Sequence, residues 1–274
     1  MSRIVKIFAV LTAAAILFSV TACSNASSGK ELRVGMECAY APFNWTQSDD
    51  SNGAVPIEGG GYAGGYDVEI AKKIAEGMGR KLIIVKTEWD GLEPALQSGI
   101  IDVIIAGMSP TADRKTRIDF TDNYYNSDLV VVVKKDGPYA NAKSLNDFAG
   151  AAITGQLNTF HYTVIDQLVG AKKETALADF PTMITALASG VIDGYISERP
   201  GAVSAMAANP ALTYVAFPEG QGFEASEEDT AIAVGIKKGS SLAADINKVL
   251  AGISTEERNT IMDNAVATQP VVAE

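Results

Sequence analysis

A short motif that occurs twice constrains this chain more than any other feature. Residues 95–105 and residues 186–196 share the pattern Ala-Leu-x-Ser-Gly-x-Ile-Asp-x-x-Ile. In each copy a stretch that ends at Ser-Gly precedes an apolar run, which predicts a helix stopped by glycine and then a buried strand. The repeat therefore predicts an α/β protein with two similar halves.

The residues that follow the two copies differ in charge. The first copy is followed by Gly107, Ser109 and Arg114, and the second is followed by Ser197, Glu198 and Arg199. Ser109 is a suitable N-cap and Pro110 a suitable first helical residue, so we expect a helix to begin at Pro110 and to offer free N–H groups to an anion. If the two strands face each other across a cleft, the gap suits a zwitterion. The alternative is two ordinary βαβ units with surface charges at their strand ends.

The N-terminal region has the pattern of an export signal. An apolar segment, residues 7–18, follows two basic residues and is too short for a comfortable membrane span. Its Val-Thr-Ala-Cys ending resembles a bacterial lipobox, so we expect a signal peptide over residues 1–22, lipidation of Cys23 and a lipid-anchored linker over residues 23–30. The alternative is an ordinary secretory signal that contains a cysteine.

Composition excludes several kinds of site. The formal net charge is −11, with no basic cluster, so we expect no nucleic-acid partner. Cys38 is the only cysteine besides Cys23, and His161 is the only histidine. We therefore expect no zinc or iron–sulfur site built on cysteine, no imidazole-rich metal site and no cofactor.

Two further predicted strands end at candidate ligand-binding residues. Residues 32–36 predict a first strand with Glu37 at its carboxyl end, the edge at which open α/β sheets hold ligands. Residues 81–85 predict another strand, followed by Trp89. An aromatic ring at this edge could pack against a ligand side chain or stack on a cation, although core packing is the ordinary role of a lone tryptophan.

Two similar apolar runs suggest how the halves are connected. Residues 129–135 and 231–238 both end in Lys-Lys, and we interpret them as paired strands that cross between lobes. Lobe 1 then comprises residues 31–134 and 229–274, and lobe 2 is the inserted segment of residues 135–228.

Lobe 2 offers a second possible anion site. Residues 151–154 predict a strand that leads into a helix, whose free N–H groups around Thr159 and Phe160 could meet a carboxylate held from lobe 1 by Arg114. His161 follows them. We interpret it as structural, because no second histidine, serine elbow or cysteine partner suggests catalysis.

Several motifs together give a resemblance to a known family. They are Val-Gly-x-x-x-x-Tyr-Ala-Pro-Phe at residues 34–43, Gly-Tyr-Asp at residues 65–67, the Ser-Gly-x-Ile-Asp strand, and Ser-x-Thr-x-x-Arg at residues 109–114. From Leu32 to about Ala267 the chain resembles the type II solute-binding proteins of polar amino-acid ABC importers, the family of glutamine-, histidine- and lysine/arginine/ornithine-binding proteins. The resemblance implies a two-lobed periplasmic-binding-protein-like fold of type II. Each lobe would be a mostly parallel sheet flanked by helices, and two crossover strands would join the lobes.

The resemblance also implies roles at the backbone end of a bound amino acid. Arg114 matches the arginine that clamps the α-carboxylate, and Ser109 matches a residue that contacts both the carboxylate and the ammonium. Gly107 matches a position whose carbonyl accepts from the α-ammonium. Glu198 falls where the family usually places an aspartate for that ammonium, so its extra methylene leaves its reach open.

Further roles concern the rest of the ligand. Phe160 matches a small residue whose backbone N–H completes the carboxylate site. Tyr40 and Trp89 match aromatics beside the ligand side chain, and Glu37 matches an acid that reads its far end. Gln156 is a further candidate from lobe 2.

The implied function is capture without catalysis. A free amino acid would bind in the interlobe cleft, lobe 2 would close over it, and the closed monomer would deliver it to a membrane permease from the outer face of the cytoplasmic membrane. Glu37 beside Tyr40 and Trp89 favours a basic side chain, and a glutamine amide is the alternative. A cyclohexadienyl dehydratase-like enzyme would instead use Glu37 or Glu198 as an acid or base.

Overall fold

A computed structural model of the protein describes residues 31–218 and 220–270. The predicted signal peptide, Cys23 and the linker over residues 23–30 lie outside the described residues. Within the described ranges, none of the helices has the length and apolar character needed to cross a membrane.

The strands and helices alternate along most of the chain. The strands are β1 (Glu31–Met36), β2 (Ala39–Tyr40), β3 (Asn44–Gln47), β4 (Val55–Pro56), β5 (Tyr62–Gly64), β6 (Lys81–Lys86), β7 (Val103–Ile104), β8 (Asp119–Asn126), β9 (Leu129–Lys134), β10 (Ala152–Thr154), β11 (Lys172–Lys173), β12 (Gly194–Glu198), β13 (Leu212–Val215) and β14 (Ala231–Ile236). The α-helices are α1 (Tyr66–Gly77), α2 (Leu92–Ser98), α3 (Ala112–Lys115), α4 (Phe160–Thr163), α5 (Phe180–Ser189), α6 (Arg199–Ala208), α7 (Glu227–Thr230), α8 (Leu242–Leu250) and α9 (Thr255–Thr268). Short 3-10 helices cover Ser51–Gly53, Trp89–Gly91, Leu145–Phe148 and Val164–Gln167.

Two five-stranded sheets have the same internal arrangement. Sheet 1 has the order β6-β1-β7-β14-β8 and sheet 2 has the order β11-β10-β12-β9-β13. In each sheet the first three strands are parallel and the last two pairings are antiparallel. The α/β class is confirmed, and both sheets are mixed but mostly parallel: four of the five strands run in one direction, and the fourth strand in the order, β14 or β9, runs opposite to them. The chain segment between β1 and α1 forms a smaller antiparallel sheet with the order β2-β3-β5-β4.

The sequence repeat corresponds to a structural repeat. α2 ends at Gly99 and α5 ends at Gly190, and both glycines are left-handed, with φ of 81° and 79°. β7 and β12 follow them, and each is the third strand of its sheet. The predicted sequence of helix, glycine stop and buried strand is confirmed in both copies.

The interpretation of the two apolar runs as paired crossover strands is wrong. β9 pairs with β12 and β13 in sheet 2, whereas β14 pairs with β7 and β8 in sheet 1. The runs are similar because each is the fourth strand of its own sheet, covered on both faces. The chain passes between the sheets after β8 and again through α7, where the Ser127 amide donates to the Thr230 carbonyl at 3.0 Å.

The helix start after β7 also differs from the prediction. The N-cap is Thr111, whose hydroxyl accepts from the Arg114 amide at 3.3 Å, and α3 begins at Ala112. Pro110 is therefore outside the helix, and Ser109 keeps a different role, because its carbonyl accepts from the Arg114 guanidinium at 3.0 Å. The short helix still carries Arg114 back towards the end of the strand.

Aromatic packing joins the two sheets. The Tyr40 ring stacks on Phe180 with centroids 4.1 Å apart and planes 10° apart. Phe180 packs edge-on against Tyr195 of β12, at 6.2 Å between centroids. Residues on both sides of the cleft are thereby buried in one apolar cluster, so the two sheets approach each other closely.

Candidate functional site

A narrow cavity of about 10 Å³ lies between the parts of the chain that carry the two sheets. This is far below the roughly 300–1,000 Å³ of small-molecule pockets, so the cleft is tightly closed and would have to open to admit a ligand. Its lining residues are Tyr40, Trp89, Gly107, Ser109, Arg114, Gln156, Thr159, Phe160, His161 and Asp229. They include every predicted site residue except Glu37 and Glu198.

Arg114 is a buried cation in the cavity wall, with 7% of its surface exposed. Its guanidinium donates to the carbonyls of Ser109 at 3.0 Å and Asn158 at 3.2 Å. Burial lowers the pKa of Arg114 to about 10, so the side chain stays charged at neutral pH. The Glu93 carboxylate lies 4.0 Å from Nε, beyond hydrogen-bond distance. The guanidinium is therefore desolvated without a hydrogen-bonded anion.

Trp89 lies against Arg114. The Arg114 Cζ atom is 5.0 Å from the centroid of the indole ring, which is within cation–π distance. The indole nitrogen donates weakly to the Asn158 carbonyl at 3.5 Å. One face of Trp89 thus supports the guanidinium, so the ring orients the arginine besides lining the cavity.

Glu198 is buried just behind the cavity wall. The Tyr40 hydroxyl donates to its carboxylate, so the tyrosine that lines the cavity covers the acid. Burial is the main cause that raises the pKa of Glu198 to about 7, while the Tyr40 hydrogen bond opposes the rise. Arg114 and Glu198 are within electrostatic range of each other, but the expectation that both would face one cavity is not met.

Glu37 is covered in the same way by a residue from the other side of the cleft. The Gln156 side-chain amide donates to Glu37 at 2.9 Å and to the Ala178 carbonyl at 3.0 Å. Desolvation raises the pKa of Glu37 to about 7, against the lowering effect of the Gln156 hydrogen bond. Each buried acid is therefore masked by a neutral side chain that lines the cavity.

The sequence did not indicate His161 and Asp229 as lining residues, and it indicated Thr159 only for its backbone N–H. The Thr159 hydroxyl donates to the Gln156 carbonyl at 2.7 Å and so fixes the turn before α4. Asp229 lines the cavity from α7, where it forms a capping box with the N-cap residue Ser226. A signal for Asp229 existed in its Ser-x-x-Asp spacing, but that pattern predicts a helix start and not a position in the fold.

His161 lies in the cavity wall, although the sequence suggested only a structural role. Burial lowers its pKa to about 4, so the ring is neutral at physiological pH. Its Nδ1 atom is buried and has no hydrogen-bond partner among the described residues. The ring packs edge-on against Phe180, with centroids 6.0 Å apart. A neutral imidazole with one free nitrogen can accept or donate one hydrogen bond inside the cavity.

Comparisons with known proteins show which chains this one is similar to. A family model described as bacterial extracellular solute-binding proteins, family 3, matches residues 32–265. The arginine-binding extracellular protein ArtP of Bacillus subtilis is 29% identical over 250 residues, which cover 88% of this chain and 89% of the relative. A probable histidine-binding protein of Campylobacter jejuni is 30% identical over 204 residues, covering 74% of each chain.

A solved structure extends the likeness to three dimensions. It is an amino acid ABC transporter substrate-binding protein from Streptococcus pneumoniae, bound to L-arginine. It has a TM-score of 0.78 with 27% sequence identity, and the alignment covers 89% of this chain and 97% of that one.

Proposed function

Because the chain belongs to the bacterial extracellular solute-binding proteins, family 3, we propose that it captures a free amino acid with a basic side chain for an ABC importer. It is a substrate-binding protein for amino acids and not an enzyme, like the relatives and the structural neighbour. The dehydratase alternative is therefore set aside. The identity of the amino acid is the part of the proposal that needs direct measurement.

One observation carries the proposal. Arg114 is a buried guanidinium in the cavity wall, and its hydrogen bonds to the described residues go to backbone carbonyls. A buried charge is costly unless it is paired, and a guanidinium fork fits a carboxylate. The α-carboxylate of an amino acid would supply a hydrogen-bonded anion, which Glu93, at 4.0 Å from Nε, does not. The Thr159–Phe160 turn, which lines the same cavity, would offer backbone N–H groups to that carboxylate.

The two covered acids support a ligand with positive charge at two places. Glu198 lies behind Tyr40 and would receive the α-ammonium together with Gly107 and Ser109, while Glu37 lies behind Gln156 and would receive the far end of the side chain. Burial disfavours the charged form of each carboxyl, and a cationic group of the ligand beside it would favour that form again. A lysine, arginine or histidine side chain meets this requirement.

Glutamine is the second candidate, and one contact favours it. The Gln156 amide already donates to Glu37 at 2.9 Å, so the pocket around Glu37 accepts a primary amide. A glutamine ligand could replace that amide without bringing a charge. Its binding would then differ from that of a basic amino acid in its dependence on the Glu37 charge.

Binding would exchange partners across the cleft. Tyr40 donates to Glu198 and Gln156 donates to Glu37, and the Asn158 side chain donates to Asp90 at 2.9 Å. A ligand would enter when these contacts open, bind to lobe 1, and be enclosed as lobe 2 returns. The passages after β8 and through α7 would bend. Lobe 2 is proposed to include β9, in addition to residues 135–228, because β9 belongs to sheet 2.

Attachment to the membrane is proposed from the sequence. Lipidation of Cys23 after removal of residues 1–22 would hold a monomeric protein on the outer face of the cytoplasmic membrane. The linker over residues 23–30 would let it reach a permease, and no bond of the ligand would be broken.

The test is a binding screen on protein that has been unfolded and refolded to remove any bound ligand. Thermal unfolding is measured with each of the twenty amino acids, followed by calorimetry of those that stabilise the protein. We expect the largest rise in Tm with a basic amino acid. Failure of every amino acid to raise Tm would overturn the proposed function, and a rise with glutamine alone would select the second candidate.

A further inference from the structure

Asp67, the second residue of α1, is a fully buried acid that the site described so far does not use. The Tyr124 hydroxyl and the Asn44 side-chain amide each donate to its carboxylate at 2.7 Å. The backbone of Gly107 forms a further hydrogen bond to it. Asp67 belongs to none of the ion pairs found among the described residues.

The partners of Asp67 lie on the segments that carry the ligand site. Gly107 lines the cavity with a φ of +61°, and a Cβ atom there would come within 2.9 Å of the Tyr40 ring. Asn44 accepts at 2.7 Å from the amide of Cys38, which stands between Glu37 and Tyr40 in the chain. One carboxylate therefore ties together the turn at Gly107 and the segment that carries Glu37 and Tyr40.

The hydrogen bonds indicate that Asp67 is ionised at neutral pH. An amide N–H can only donate, and a carboxylate that receives several donors is favoured in its charged form. Burial raises the pKa of Asp67 only to about 6, because these hydrogen bonds oppose the effect of desolvation. The negative charge contributes to raising the pKa of both Glu198 and Tyr40. Its field therefore reaches the end of the site to which the ligand ammonium is assigned.

We propose that the buried charge of Asp67, which is held beside the turn at Gly107 and the Glu37–Tyr40 segment, strengthens the hold on the ligand α-ammonium. This inference rests on the proposed function and adds a second anion behind Glu198. A purely structural Asp67 would shape the cavity without favouring the ammonium. The two roles predict different results for a ligand that lacks the ammonium.

The experiment compares an amino acid with its desamino analogue, which has the same side chain and carboxylate but no ammonium. For L-arginine the analogue is 5-guanidinopentanoate, and binding is measured by calorimetry or by competition. In Asp67→Asn we expect the affinity for the amino acid to fall at least about tenfold, as for the loss of a charge-assisted interaction. The affinity for the analogue should stay within about twofold of the wild-type value, well below the effect of one such interaction.

Asp102→Asn is the matched control. The Asp102 carboxylate accepts from the Arg33 amide at 2.9 Å, just before β7, whereas Asp67 contacts Gly107 beyond the other end of that strand. The control variant loses one carboxylate charge at the opposite end of β7. We expect it to change Tm but not the affinity for the amino acid or for its analogue.

Tyr124→Phe keeps the test decisive if Asp67→Asn does not fold. It removes one donor from Asp67, which should raise the pKa of that carboxyl. As the pH is lowered, we expect the variant to lose affinity for the amino acid at a higher pH than the wild type does. At pH about 8.5 the carboxyl is ionised in both proteins, so the two affinities should be equal. A merely structural role would lower the affinity by the same factor at every pH.

The outcomes separate the two proposals. Equal losses for the amino acid and its analogue in Asp67→Asn, or no loss for either, would overturn the inference about Asp67. An unshifted pH profile in Tyr124→Phe would also overturn it. Absence of amino-acid binding by the wild type would instead overturn the proposed function, and this inference with it.

Discussion

The side-chain amide of Gln156 donates to the carboxylate of Glu37 at 2.9 Å, and these two residues come from opposite sides of the cleft. Tyr40 and Glu198 form a second contact of the same kind. In both pairs a neutral group from the cavity wall donates a hydrogen bond to a buried acid whose pKa is raised to about 7. The cleft is thus closed by contacts that a cationic ligand would replace.

The charge of Glu37 should decide between basic and neutral ligands. In Glu37→Gln we expect the affinity for a basic amino acid to fall by about ten- to a hundredfold, because one charged hydrogen bond contributes on the order of 1.5–3 kcal/mol. Affinity for glutamine should change much less. Calorimetry with both ligands checks this, and Glu88→Gln, in an exposed neighbour, is the control. Equal losses for both ligands would contradict a role for Glu37 in charge selection.

Arg114 should be required for every amino-acid ligand. Arg114→Ala removes the proposed carboxylate clamp, so we expect at least about a hundredfold loss of affinity from two charge-assisted hydrogen bonds. Arg117→Ala is the matched control, since Arg117 is more exposed and pairs with Glu93 and Asp113. A thermal shift that persists in Arg114→Ala would show that the carboxylate is held elsewhere.

The stability of the unliganded protein should fall as the pH rises through the neutral range. Burial raises the pKa of Glu37 and of Glu198 from 4.5 to about 7, so the folded protein binds more protons than the unfolded chain between these values. Their stabilising contribution is complete below about pH 4.5 and is lost as the pH rises through about 7. Urea unfolding at several pH values checks the sign. The Glu37→Gln, Glu198→Gln double variant should show a flatter profile.

Binding of a basic amino acid should release protons. A cation beside either acid favours its ionised form and lowers its pKa, so affinity should increase from about pH 5.5 to about pH 8. Calorimetry at pH about 6.5, a value between the unliganded and liganded pKa values, in two buffers of different ionisation enthalpy measures the number of protons released. Proton uptake on binding would contradict the assignment of these acids to the ligand.

The hydroxyl of Tyr40 should help to stabilise the closed form of the cleft. Tyr40→Phe keeps the stacking on Phe180 but leaves Glu198 without its donor, which destabilises the closed form by about 1–3 kcal/mol. Small-angle scattering of the unliganded variant should give a larger radius of gyration than the wild type, and ligand should reduce the difference. Tyr62→Phe, in β5 of the small sheet, is the control.

Cys23 should be needed for attachment to the membrane. Cys23→Ser removes the thiol that would carry the lipid, so we expect the protein to move from the membrane fraction to the soluble fraction of the expressing bacterium. Cys38→Ser is the control, because Cys38 is buried and burial raises its pKa to about 12. Retention of the Cys23→Ser protein in the membrane fraction would argue against a lipid anchor.

Much of the local structure could be predicted because its causes lie close together in the sequence. The two Ser-Gly helix ends and the strands after them follow from glycine in the left-handed conformation and from a short apolar run. The location of Arg114 after β7 follows from the same run. Local patterns failed where two nearby residues were both suitable N-caps. Ser109 and Thr111 are such a pair, and only the backbone conformation shows that Thr111 caps the helix.

Taken alone, the amino-acid sequence determined the α/β class, the internal repeat and most of the residues around the cavity, since these depend on side-chain periodicity and on motifs a few residues long. Only the tertiary structure decided that β9 and β14 are equivalent strands and not partners. It also decided that Tyr40 and Gln156 cover the acids, and that His161 and Asp229 reach the cavity. The physical reason is that strand pairing, desolvation and hydrogen bonding between distant residues depend on which surfaces meet, and no local pattern records that.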